Sequence, residues 1–173
     1  SDGNGVPLRY VPVGLSKMGE AVGDGTYVHD GDRPFTGRYA QCISGRSGDG
    51  IANRGLNRWG IGVKEGEPMH NVLYLCGRLP EGASDAGLRA RVALQSIDGL
   101  KEYASAEITG ITADWQRFEA DLLPNATDPC ARYVLSLADE CTLWADQVLL
   151  ATDSYPFRRD ITDAFLAEGL TFL

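Results

Sequence analysis

The chain reads as an all-β protein, an antiparallel β-sandwich of jelly-roll type. Three observations predict this. Apolar residues recur at every second position through most of the chain, Gly, Pro, Asn and Asp clusters interrupt those runs at intervals of about ten residues, and no helical period appears before residue 153. At 173 residues the chain suits one well-buried domain plus a short appendage. We therefore expect a sandwich over residues 1–152, followed over 153–173 by a linker, a helix and the first strand of a truncated next domain.

Taken in order, residues 1–32 are glycine-rich and irregular, with Leu8–Leu15 as the expected first strand. Arg38–Ile43 follows as a strand, and Ser44–Gly50 carries the Gly, Ser and Asp of a tight turn. Gly50–Val63 combines four glycines, two asparagines and two arginines with Trp59. That is too polar for a core strand and too aromatic for an ordinary loop, so the segment presents something. Asn71–Leu79 places Leu73, Leu75 and Leu79 on one face. Leu88–Ile97 alternates, with Leu88, Ala90, Val92 and Leu94 inward and Arg89, Arg91, Ala93 and Gln95 outward. After the Asp98-Gly99 turn, Tyr103–Ile108 is a shorter strand.

The period is strongest from Ile111 to Leu150, read as three neighbouring strands of one sheet. Gln116, Phe118, Ala120 and Leu122 face in while Arg117, Glu119 and Asp121 face out. Tyr133, Leu135 and Leu137, then Trp144, Val148 and Leu150, continue the inward rows around a hairpin at Asp139-Glu140. Asp146 falls within the last of them, and a carboxylate pointing into a core needs a partner. Further on, Asp160 can cap a helix in which Ile161 and Phe165 share a face and which Gly169 ends.

The formal charge of −8 and pI near 4.7 argue against phosphate backbones and anionic membranes and suit neutral ligands such as glycans. No run approaches the ~18 apolar residues of a membrane helix. We expect an excised or mature soluble piece, a monomer, with no nucleic-acid or membrane partner. Cys42, Cys76, Cys130 and Cys141 lack zinc-site spacing. Cys130 and Cys141 lie toward opposite ends of the hairpin and cannot be bridged. A Cys42–Cys76 bridge and four free thiols both remain open.

Trp115 with Phe118, the connection Leu123-Pro124-Asn125-Ala126-Thr127-Asp128, and the strand ending Trp144-Ala145-Asp146-Gln147-Val148 together resemble the closing half of the β-sandwich carbohydrate-binding modules of families 4, 9 and 22. The version they resemble most is the sandwich embedded in family 51-like glycoside hydrolases, many of them α-L-arabinofuranosidases; Gly50–Val63 is similar to a stretch there too. The resemblance covers Arg38–Leu173. It implies a secreted, non-catalytic module that binds a β-linked plant polysaccharide of the xylan or β-glucan type beside the catalytic domain of the same polypeptide. Its alternative is a structural accessory sandwich packed on the catalytic barrel without sugar affinity. It further implies one structural calcium at Asp146, which matches the first acid of a D-D-V motif. Gln147 replaces the second acid, and Glu20, Asp30 and Asp32 lie where the completing acids would be.

Sugar recognition needs an aromatic face for the C–H side of a pyranose and planar polar groups for its hydroxyls. Trp59 with Arg58, Asn57 and Asn53 supplies both within one segment, unless the indole plugs the sandwich edge. Arg91 and Gln95, with Arg89, project from the outward side of one strand and would line a polar floor. Tyr103 either overhangs that floor or packs with its hydroxyl at the surface. No catalytic residues are expected: nothing singles out a carboxylate pair, and His29 and His70 stand in no hydrolase motif.

Overall fold

The computed structural model describes residues 19–55, 58–80 and 87–152. Within them the chain forms β1 (Gly19–Val22), β2 (Thr26–Asp30), β3 (Ala40–Gly45), β4 (Gly50–Asn53), β5 (Ile61–Val63), β6 (Met69–Arg78), β7 (Leu88–Gln95), β8 (Glu102–Ile111), β9 (Gln116–Leu122), β10 (Asp128–Leu137) and β11 (Cys141–Thr152). One antiparallel sheet runs β1-β4-β10-β7-β8, with β5 also on β10; the other runs β2-β3-β11-β6-β9. The two stack into the expected antiparallel sandwich. Leu8–Leu15, Asn57, the helix at Asp160 and the boundary at residue 153 lie outside the described residues.

Alternation dictates the core. Across the first sheet, Ile51, Leu135 and Val92 form one inward row and Tyr133 and Leu94 part of the next; Leu73, Leu75, Ile43 and Leu143 answer from the second sheet. Phe118 and Ala120 pack against the same cluster, as their parity predicts. Within this apolar layer the Tyr133 hydroxyl donates to Asn71 Oδ1 at 2.9 Å, and Asn71 Nδ2 donates to the Leu149 carbonyl at 2.7 Å. Buried polar groups are tolerated when paired in this way.

Three expectations are corrected. The strands from Gln116 to Thr152 do not neighbour one another in one sheet: β9 and β11 belong to the second sheet and β10 to the first. The Asp139-Glu140 connection is therefore an arch between layers. Parity reports which side faces the shared core and is silent about which layer a strand joins. Second, Gly50–Asn53 and Ile61–Val63 are strands, because pairing with the central β10 overrides their weak propensity.

Third, Trp144 and Asp146 do not point into the main core. Leu143 and Ala145 do, and the pairing with β6 slips between Asp146 and Leu149, where Gln147 adopts φ 48°. The bulge flips the parity, so Val148 and Leu150 return to the inward side. Trp144 instead joins Ala40, Cys42 and Cys76 in a second small core on the outer face of the second sheet, with Trp115 against it.

All four cysteines are free. Cys42 and Cys76 pair with Trp144 from opposite sides, so they sit two strand spacings apart, ~9.6 Å, beyond the reach of a disulfide.

Candidate functional site

β4 and β5 lie along the same side of β10, with Asn53 opposite Tyr133 and Ile61 opposite Ala131. They amount to one strand interrupted by Arg54–Gly60. The Gly60 N–H closes the excursion by donating to the Arg54 carbonyl at 2.7 Å, and Asn53 Oδ1 accepts from the Gly55 N–H at 2.7 Å. Gly55, Arg58 and Gly60 all take left-handed backbone, with φ of 72°, 60° and 95°. At Gly60 a side chain is impossible in place, since a Cβ would stand 2.3 Å from Cys130 Cα. This pinned loop holds Trp59 71% exposed. An indole left in water forgoes the few kcal/mol that burial would give, so it does not plug the edge; it is displayed. Arg58 beside it is exposed as well.

Asn53 differs from expectation. Its residue shares the inward row with Tyr133 and is buried, so its amide shapes the loop instead of facing solvent.

Arg91 and Gln95 point outward from β7, as alternation requires, but neither is idle. Arg91 Nη2 donates to Glu102 Oε1 at 2.5 Å and to Ser105 Oγ at 2.8 Å, and Gln95 Oε1 accepts from Arg132 at 2.9 and 3.3 Å. Arg89 is held by Asp139 at 2.7 Å and by Glu107. The Arg91 guanidinium keeps the Glu102 carboxyl below the usual range, and Arg89 does the same for Asp139. The middle of this outer face is a row of small residues, Ala52, Val134 and Ala93, all buried. Among the described residues this face carries no aromatic ring.

Tyr103 does not overhang it. The ring packs into the core and the hydroxyl donates to Asp128 Oδ2 at 2.6 Å. Sequence reasoning missed Arg132 and Glu102, the partners of Gln95 and Arg91. Arg132 was recoverable, because it has the outward parity of its strand and lies opposite Gln95.

On the second sheet, residues 31–39 cross the outer face as a strap. Phe35 stacks on Tyr74 with centroids 4.2 Å apart and leans on Trp115. The Arg33 guanidinium lies 4.9 Å from the Trp144 ring and donates to the Ala113 carbonyl. Trp144 Nε1 donates to Asp30 Oδ2 at 2.6 Å. Asp146, fully buried, anchors the strap: Oδ2 accepts the N–H groups of Phe35 (3.1 Å) and Thr36 (3.0 Å), and Oδ1 accepts that of Gln147 (2.8 Å). These are donors, whereas calcium needs six to eight oxygens. Asp30 is likewise taken up by Trp144 and the Asp32 N–H. Among the described residues no group of three or more His, Cys, Asp or Glu is arranged to hold a metal. Asp146 and its surroundings thus do not fit the calcium role that the D-D-V resemblance implied.

No protein-family model matches the chain. In sequence it is 32% identical over 127 residues to alpha-L-arabinofuranosidase 1 of Arabidopsis thaliana, a match that covers 69% of this chain and 17% of that relative. In structure it is similar to an arabinose-bound α-L-arabinofuranosidase of glycoside hydrolase family 51, with a TM-score of 0.63 and 20% identity over 83% of this chain and 25% of that one. It is also similar to a family 22 xylan-binding domain, with a TM-score of 0.55 and 15% identity over 88% and 97% of the two chains. A second such domain, from Paenibacillus barcinonensis, gives 0.55 and 14% over 78% and 91%. The chain has the fold of these modules, and the resemblance carried by Trp115, Leu123–Asp128 and Trp144–Val148 extends through the described sandwich.

Proposed function

We propose that this sandwich is a non-catalytic carbohydrate-binding module of a polysaccharide-degrading glycoside hydrolase. It takes a β-linked plant glycan of the xylan or β-glucan type, outside the cell, by stacking a sugar ring on Trp59. The observation that carries the reading is the indole held in solvent between the left-handed Gly55, Arg58 and Gly60. Arg58 beside it offers N–H donors to the oxygens of the sugar's hydroxyls. The similar family 22 domains named as xylan-binding support the substrate class. Tethering of this kind would raise the local concentration of substrate near a catalytic domain on the same polypeptide.

A second reading has its own support. The outer face of the first sheet is occupied by small buried residues and closed ion pairs. A sandwich without an open platform can be a structural accessory, with Trp59 as the anchor of its contact with the catalytic domain. Affinity electrophoresis through gels containing xylan or mixed-linkage β-glucan separates the two. Retardation of the parent that weakens in Trp59→Ala, with the unfolding midpoint unchanged, supports binding through Trp59. Equal mobility on every polysaccharide establishes the structural role instead.

A further inference from the structure

We infer a second saccharide subsite, remote from Trp59, at the uncovered end of the second sheet's outer face. The inference rests on the reading of the sandwich as a carbohydrate-binding module. The strap of residues 31–39 covers only part of that face. Beyond it, Thr26, Ser44, Thr142 and Arg78 stand opposite one another on β2, β3, β11 and β6, so three hydroxyls and a guanidinium form a single row across four adjacent strands. They share the outward parity of Trp144, which lies two residues along and closes the row from behind. With strands ~4.8 Å apart, the row spans ~14 Å, the length of a short oligosaccharide. It forms the floor of a groove of about 800 Å³ that Arg46, Glu140 and Asp24 also line. That volume is typical of small-molecule sites.

The chemistry of the lining selects the ligand. Ser44 Oγ and Thr142 Oγ1 are hydrogen-bonded to each other at 2.8 Å, which uses one proton and leaves the pair one O–H donor and several lone pairs to offer. Neither Arg46 nor Arg78 belongs to an ion pair among the described residues, and neither do Asp24 and Glu140. Asp49, the remaining acid of the lining, is occupied by the N–H groups of Asp24 and Arg46. Two cations thus face three carboxylates, so the groove carries a small negative excess and does not favour an anionic ligand. Each group outside an ion pair, Asp49 apart, is nonetheless a bidentate partner for a vicinal diol. Trp144 is itself buried, with Arg33 and Arg78 over its ring, so it closes the groove without offering a stacking face and recognition rests on the polar row. The ligand class is a neutral oligosaccharide laid across the strands.

Xylohexaose titrated into ¹⁵N-labelled protein tests this. Resonances of Thr26, Ser44 and Thr142 should shift in the parent and equally in Trp59→Ala. Thr142→Val and, independently, Arg78→Gln should weaken that response roughly five- to tenfold, with no effect of added salt. Shifts confined to residues 58–60 would overturn the second subsite and leave the Trp59 reading standing. A response at Thr142 that salt abolishes would overturn the neutral ligand class, and a spectrum unchanged throughout would remove both sites.

Discussion

Replacing Asp146 by alanine removes the acceptor that fastens the strap to the second sheet. Its carboxylate receives three backbone N–H groups, those of Phe35, Thr36 and Gln147. Hydrogen bonds to an ionised acceptor contribute about 1.5–3 kcal/mol each. The three do not sum in full, because Phe35 is exposed and its N–H can recover water once the strap lifts. We expect a loss of about 3–4 kcal/mol, which in a domain of this size lowers the melting temperature by roughly 6–16 °C. Asp146→Asn should lose less, about 1–2 kcal/mol, since an amide keeps one accepting oxygen while its NH₂ faces a donor. Urea unfolding followed by tryptophan fluorescence measures the global effect, because Trp115 and Trp144 both lie at the strap. Hydrogen exchange at the Phe35 and Thr36 amides measures the local one, which should accelerate before the core does. A loss below about 1 kcal/mol, with those amides as protected as before, would refute the anchoring role. So would a calcium-dependent rise in the parent's midpoint that Asp146→Ala abolishes, since the carboxylate would then be a ligand and not a strap anchor.

Three further outcomes follow from geometry already given. Tyr133→Phe leaves the ring in place but strands Asn71 Oδ1 in the core, and should cost about 1–3 kcal/mol by chemical denaturation; a neutral result would mean that water reaches the site. Burial pushes the thiols of Cys42 and Cys76 up to about 11 and that of Cys141 to about 12, while Cys130 is exposed. A thiol-disulfide reagent at neutral pH should therefore label one cysteine quickly in the native protein and four after unfolding, and two fast thiols would show that one of the buried sites opens. Glu102 and Asp139 have folded-state pKa values held down by Arg91 and Arg89. Their contribution is present above the ordinary carboxylate range and is lost as pH falls through the lowered values, so Arg91→Gln with Arg89→Gln should flatten the stability decline between about pH 5 and pH 2. An identical slope in the double variant would dismiss that linkage.

Much of the core was legible from residue order. The inward rows of β7, β9 and β10 stand where alternation put them, because each strand has one face on a shared apolar layer. The partition of strands between sheets was not, since Phe118 and Tyr133 face the same core from opposite sides. Trp144 misled for a local reason. A bulge at Gln147 changes parity within one strand beside Asp146, whose partners lie on a strap more than a hundred residues away in sequence and leave no mark in the neighbouring residues. Among the candidate site residues, display of Trp59 was foreseeable from the glycines around it. The roles of Asn53 and Tyr103 turned on partners, Gly55 and Asp128, that no spacing announces.

The place of β11 within its sheet bears on how the protein is made. β11 comes last among the described strands, yet it lies between β3 and β6 and alone joins the β2-β3 pair to the β6-β9 pair. A nascent chain that has emerged only as far as Glu140 therefore holds two half-sheets with raw edges and nothing to zip them together. The central place in this layer stays empty until the segment ending at Thr152 has been synthesised.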